Sequence, residues 1–137
     1  MILALTFVYS LIVGFMIFFM SVVTPSVFKT LDEKNSRNFL RFIFPRMFLY
    51  GFILSFVALL LSIYIRDQLL ILISVFISIL FLINTYIITP KINLHRDQFN
   101  DGVMESEKVF KRFHLISVLI FLVQLISAIS AIIVNNL

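Results

Sequence analysis

The sequence predicts an all-α polytopic membrane protein: an antiparallel bundle of four transmembrane helices in one domain, 1–137, with a short cytoplasmic interfacial helix. Three observations predict it. Hydrophobic residues make up 61% of the chain and charged residues only 13%, whereas a soluble domain carries about 25% charge. The apolar residues gather into four charge-free runs, 1–28, 47–65, 68–90 and 113–137, each near or above the roughly 20 residues that cross a bilayer as a helix. Every Lys and Arg except Arg66 falls in the first or the third connection between runs. Lipid offers no partner to open backbone, so runs of this length read as helices.

The first helix is expected over 3–23. No Lys or Arg precedes it, and its apolar run exceeds the roughly 7–15 residues of a signal peptide, so it reads as a retained span. Next, Thr30-Leu31-Asp32-Glu33 matches a capping box, with Thr30 as N-cap and Glu33 three residues on. Over 31–43 the chain sets Leu31, Phe39, Phe42 and Ile43 against Lys34, Arg37 and Arg41. That pattern predicts the interfacial helix, its basic side suited to anionic headgroups. Pro45 suits the first turn of a second helix over 45–65. Arg66-Asp67-Gln68 leaves room only for a tight hairpin into the third helix, 69–88. Pro90 is expected to kink that helix without ending it. Asn100-Asp101-Gly102 is a turn signal, flanked by helix-compatible residues. Helices three and four, the latter over 113–134, should extend and meet there. The charge asymmetry predicts basic connections in the cytoplasm and both termini outside, as in a bacterial inner-membrane protein.

Inside lipid, helices associate through small residues that let backbones approach. Each run carries a stripe of them at spacings of three and four, hence on one face. The stripes are Gly14 with Ser10 and Ser21; Gly51, Ser55, Ala58 and Ser62; Ser74, Ser78 and Thr85; and Ser117, Gln124, Ala128 and Ala131. All four are expected to face inward. Phe48, Phe52 and Phe56 lie off the Gly51 stripe, towards lipid or a neighbouring helix, at about 100° per residue.

The absence of cysteine excludes disulfides, a thiolate nucleophile and thiolate metal sites. No ionisable side chain sits mid-run, so a proton relay or a voltage sensor has nothing to run on. His95 and His114 are expected about seven residues out of register, roughly 10 Å apart along the helices, which is unfavourable for a shared metal. Met16 and Met20 could suit Cu(I), but they read as apolar filler. No phosphate loop, catalytic triad or paired carboxylates are visible. The net charge of +4 belongs to a membrane surface; nothing argues for nucleic acid. The candidate ligand-binding residues are Arg46, Asn84, Lys91, Arg96 and His114 at the cytoplasmic mouth, with Gln124 deeper. The start of the second helix would favour an anion there, and His114 would gate the site near neutral pH. No catalytic or metal set is identified.

Several of these residues carry a resemblance. Gly14-Phe-Met-Ile-Phe-Phe19, Thr24-Pro-Ser-Val-Phe28, Leu31 and Phe42-Ile-Phe-Pro45 resemble the first half of the transmembrane protein 205-like family, whose bacterial members form domain of unknown function 4149. Asn84, Thr89-Pro-Lys-Ile92, Arg96 and Phe113-His-Leu-Ile-Ser117 are similar to its later motifs. Arg46-Met47 departs from the aromatic residue that often follows the Phe-Pro pair. The resemblance implies a four-helix inner-membrane protein, and its animal relatives are linked to tolerance of platinum drugs.

Two function classes follow. The first is a non-enzymatic bundle without a cofactor that binds or exports a small molecule, or serves as an accessory subunit to a membrane partner or a second copy of itself. The alternative is a haem- or copper-linked oxidoreductase resembling the four-helix protoporphyrinogen oxidases, which share a Pro-Arg pair, here Pro45-Arg46. Those enzymes use a histidine in the first helix, and this chain has none before His95.

The topology is testable because the chain contains no cysteine of its own. A cysteine placed at Asn136 should react with an impermeant maleimide added from the periplasmic side, and one at Asn100 should not. The reverse pattern would overturn the orientation.

Overall fold

The computed structural model describes residues 1–137. Helix α1 (Ile2–Phe18) passes through one π turn (Phe19–Val23) into α2 (Thr24–Thr30). Helix α3 (Glu33–Ile65) follows. Helix α4 (Gln68–Ile83) passes through a second π turn (Asn84–Ile88) into α5 (Thr89–Asn100), and α6 (Ser106–Asn135) closes the chain. Four stretches, Ile2–Thr30, Glu33–Ile65, Gln68–Asn100 and Ser106–Asn135, are long and apolar enough to cross a membrane. Their outward faces carry large apolar side chains, among them Phe7, Leu60, Leu72 and Ile126. Helices apolar on every side belong in lipid.

Proline explains both π turns. Each ends on a Thr-Pro pair, Thr24-Pro25 or Thr89-Pro90. Proline brings no N–H to the carbonyl four residues back, and its ring crowds that carbonyl. One widened turn ahead of the ring relieves the clash and keeps the helix continuous. Pro90 accordingly does not end its helix.

Pro45 corrects a sequence expectation. It lies inside α3, not in a first turn, and no separate interfacial helix covers 31–43. The chain is extended at Leu31 (φ −111°, ψ 145°) and enters one 33-residue helix at Glu33. The cap shifts as well. The Asp32 carboxylate, not Thr30, accepts the Asn35 N–H at 2.9 Å. Thr30 ends α2, and its hydroxyl donates to the Ser26 carbonyl. Both residues are good caps by type; the break at Leu31 decides between them.

The turns follow local rules. Arg66 takes the left-handed conformation (φ 60°), and the Asp67 N–H reaches back to the Ser62 carbonyl. The Asp67 carboxylate then caps α4 by accepting from Leu70 N–H at 3.0 Å. Gly102 (φ 97°) supplies the left-handed residue after α5, with Val103 N–H bonded to the Gln98 carbonyl, a helix stop that glycine makes at no steric cost.

Large side chains pack into the gaps left by small ones. The stripe on α3, Gly51, Ser55, Ala58 and Ser62, is buried, as are Ser74, Ser78 and Thr85, and Ser117, Gln124, Ala128 and Ala131. The Phe81 ring lies directly on Gly51, where a Cβ would overlap it. Ser78 Oγ donates to Ser55 Oγ at 2.8 Å. The Tyr9 hydroxyl shares a 2.6 Å hydrogen bond with Ser74 Oγ, which lies 3.3 Å from Ser62 Oγ. The first helix departs from the expected pattern. Ser10, Gly14 and Ser21 are exposed, and nothing lies within 4 Å of a Cβ built on Gly14. Its inward face is Leu5, Tyr9, Ile12, Met16 and Phe19, so this helix brings bulk to the gaps of the others. Met16 is filler, fully buried. Phe48 is buried, and Phe52 stacks at 6.0 Å on the exposed Phe56.

Gly51→Leu should therefore lower stability in detergent by at least the ~1–3 kcal/mol typical of overpacking, because its Cβ meets a ring. Gly14→Leu and Phe52→Leu should each change the melting temperature far less. Equal tolerance at positions 51 and 14 would show that the interface is misassigned.

Candidate functional site

The basic residues collect where α2, the first turns of α3, and α5 meet. There the sequence has left its apolar runs: the first stops at Phe28 and the third at Pro90. A cavity of about 260 Å³ opens between these elements, lined by Phe28, Leu31, Leu40, Ser36, Glu33, Arg37 and Arg96. Beside it lies a smaller polar cleft of about 160 Å³ walled by Lys34, Arg37, Asn38, Arg41, Asp97 and Asn100. Arg37 borders both.

The charges there are unevenly paired. Arg41 Nη2 meets the Asp97 carboxylate at 2.6 Å, tying α3 to α5 across an exposed surface. Arg37 reaches Glu33 only at 3.9 Å. Arg96 makes no ion pair, although it is half-buried; its guanidinium carbon stands 5.3 Å from the centre of the Phe110 ring on α6. Partial burial, then the neighbouring Arg37, push the Arg96 guanidinium below its ordinary value. Glu33 and Asp97 act in the opposite direction but neither forms an ion pair with Arg96, so the half-buried guanidinium keeps donors that an anion could use.

Other expected residues join this end in part. Lys91 Nζ sits 5.2 Å from the centre of the Phe113 ring. His95 stacks on the same ring at 5.9 Å, within 5° of parallel, and its Nδ1 meets Gln98 Oε1. His95 and Phe113 therefore stand side by side, so His114 is much closer in register than the seven residues expected. The turn from 101 to 105 and the start of α6 at Ser106 lengthen the connection beyond the tip assumed at Asp101. His114 is exposed on α6. No three His, Cys, Asp or Glu side chains gather anywhere in the chain.

Arg46 stands apart. It is exposed and folds onto its own helix, 3.4 Å over the Phe42 ring, with Nη1 donating to the Phe42 carbonyl. The helix N-terminus expected beside it is thirteen residues earlier, at Glu33, and carries the Asp32 and Glu33 carboxylates. Asn84 and Gln124 are in the core, both fully buried. Gln124 Nε2 donates to the Ile77 carbonyl at 3.4 Å, while Gln124 Oε1 and both polar atoms of Asn84 have no partner. Sequence reasoning missed Phe28, Ser36, Leu40 and Arg37 as cavity residues. Ser36, Arg37 and Leu40 lie in the amphipathic 31–43 segment, whose basic face was assigned to bulk headgroups, and Phe28 lies just before it.

Asn84→Leu tests the core directly. An unpartnered buried amide costs about 1–3 kcal/mol, and an apolar group of the same size removes that cost. The melting temperature of purified Asn84→Leu protein should equal or exceed that of the parent. A clear drop would show that the amide is hydrogen-bonded in the membrane.

No curated protein and no solved structure matches the chain. The family described as a domain of unknown function (DUF4149) matches residues 7–101, which takes in most of α1, all of α2 to α5, both Thr-Pro turns and every residue that lines the two cavities. The chain belongs to the DUF4149 family.

Proposed function

We propose that this protein is a non-enzymatic binding protein of the membrane that holds an anionic small molecule at its basic end, for export or for hand-over to a membrane partner. The observation that carries the proposal is Arg96: half-buried, unpaired, and facing a cavity that Arg37 also lines. The reading requires no cofactor and no reacting group. The helix pairings support an antiparallel bundle, because Gly51, Ser55 and Ser62 meet Phe81, Ser78 and Ser74 in reverse order. In that bundle the basic end is cytoplasmic by the positive-inside rule, and both termini lie on the opposite side. Asn135 Nδ2, which donates to the Ile2 carbonyl at 3.0 Å, holds those termini together.

The test is recovery of bound anions from protein purified out of native membranes, for the parent and for Arg96→Ala. A lost charge-assisted hydrogen bond is worth about 1.5–3 kcal/mol, hence roughly ten- to a hundredfold in affinity. An anionic species should accompany the parent and fall at least tenfold in Arg96→Ala, with the melting temperature unchanged. Equal recovery from both proteins would sink the proposal.

A further inference from the structure

The cavity at Arg96 has two halves of different chemistry. Phe28, Leu31 and Leu40 supply its apolar part, and Arg37, Arg96 and Glu33 its charged part, with Glu33 3.9 Å from Arg37. Ser36 adds no free donor, since its hydroxyl is already turned to the Leu31 carbonyl at 3.2 Å and the Val27 carbonyl at 3.4 Å. An inorganic anion would use the two arginines and leave the apolar side idle. A purely apolar ligand would strand the guanidinium of Arg96.

The position of the cavity matters as much as its lining. Phe28 is the last residue before Lys29 in the first apolar run, and it is 64% exposed. One wall of the cavity therefore opens where hydrocarbon gives way to headgroups. Arg96 lies six residues beyond Pro90, the end of the third run. At helical rise that is roughly 9 Å along the helix past the hydrocarbon edge, at the outer margin of a headgroup layer that is about 5–7.5 Å deep on each side of a bilayer whose core is about 30 Å and whose full thickness is about 40–45 Å. The volume, about 260 Å³, is below the usual range of about 300–1,000 Å³ for sites that enclose a whole ligand. It suits a headgroup whose tail stays outside. Four cations, Lys34, Arg37, Arg41 and Arg96, against two carboxylates, Glu33 and Asp97, line this cavity and the neighbouring cleft.

We infer that the cavity between α2, α3 and α5 is a specific site for a phosphate-bearing amphiphile, with the phosphate between Arg37 and Arg96 and the acyl chain leaving over Leu31 and Phe28 into the bilayer. The inference rests on the anion-binding reading above and narrows it to one chemical class. The guanidinium fork matches two phosphate oxygens at once, and the Phe110 ring lies 5.3 Å from the Arg96 guanidinium carbon. The same phosphate chemistry could come from a lipid headgroup or from free phosphate. The apolar part of the lining and the exposure of Phe28 at the end of the first apolar run favour the lipid.

Titration of detergent-purified protein with dihexanoyl phosphatidate and with inorganic phosphate, followed calorimetrically, separates the sources. The phosphatidate should bind at least tenfold more tightly than inorganic phosphate. Arg96→Ala and Arg37→Ala should each weaken it about tenfold or more. Leu31→Ser, at a partly exposed position, should weaken the phosphatidate and leave inorganic phosphate unchanged. Lys108→Ala, a cation outside the cavity, should change neither. Equal affinity for both probes with no effect of Leu31→Ser would overturn the amphiphile assignment and leave the anion reading standing. Phosphatidate binding indifferent to Arg96→Ala and Arg37→Ala would be partition into detergent, and would overturn the site. Binding of neither probe, while a different anion co-purifies in an Arg96-dependent manner, would overturn the phosphate assignment alone.

Discussion

The bundle depends on bulk meeting gap in a medium that offers no hydrophobic drive between helices. Lipid tails are as apolar as leucine, so association comes from close contact and internal hydrogen bonds. The Phe81 ring on the bare backbone of Gly51 and the Tyr9 hydroxyl beside Ser74 and Ser62 supply both. The last three helices contribute the gaps, the first contributes only knobs, and α4 adds a knob of its own in Phe81. That division explains why Leu5, Tyr9, Ile12, Met16 and Phe19 recur at alternating steps of four and three, the spacing of a seam that stays against its neighbours.

Continuity of the helices through their prolines positions the candidate site. If Pro25, Pro45 and Pro90 ended their helices, the basic residues would lie in loops. Instead, π turns carry α1 into α2 and α4 into α5, and α3 runs unbroken past Pro45. A 33-residue helix is about 50 Å long, well beyond the roughly 30 Å hydrocarbon core. Arg37 and Arg41 stand on that surplus, and Arg96 stands on the corresponding extension, α5. The Arg41–Asp97 pair then links two of these extensions. An exposed pair of this kind contributes at most about 1 kcal/mol; its consequence is to set the spacing of the two walls.

The spans were legible in the sequence because lipid punishes charge so heavily that the runs delimit themselves. Three packing stripes were legible for the same reason: a small residue repeated on one face has few other uses in a membrane helix. The first helix misled because Gly14 and Ser10 are small without being covered, and composition does not report which partner brings the bulk. The cap misled because Thr30 and Asp32 both qualify by residue type, and only the extended backbone at Leu31 separates them. The histidine register misled because a five-residue connection replaced the assumed tip. Arg96 was found from its place near a helix end. Its cavity partners Phe28 and Arg37 were not assigned, because they belong to the other basic connection and meet Arg96 only when α3 and α5 extend together.

The charge distribution decides between the two polar regions of the bundle. Asn84 and Gln124 leave three polar atoms unpartnered in the core, which makes the centre look like a site. Yet no cation accompanies them there, and an amide alone offsets little of the cost of bringing an anion out of water. At the basic end the cost is lower, because Arg96 is only half-buried, and it is shared among several guanidinium groups. A neutral core and a cationic rim would therefore sort ligands by charge before any contact is made. On the proposed reading an anion would settle at the rim, whereas only a neutral group able to both donate and accept could satisfy Asn84. If cargo does cross this bundle, its charge must be left at Arg96 or neutralised there first.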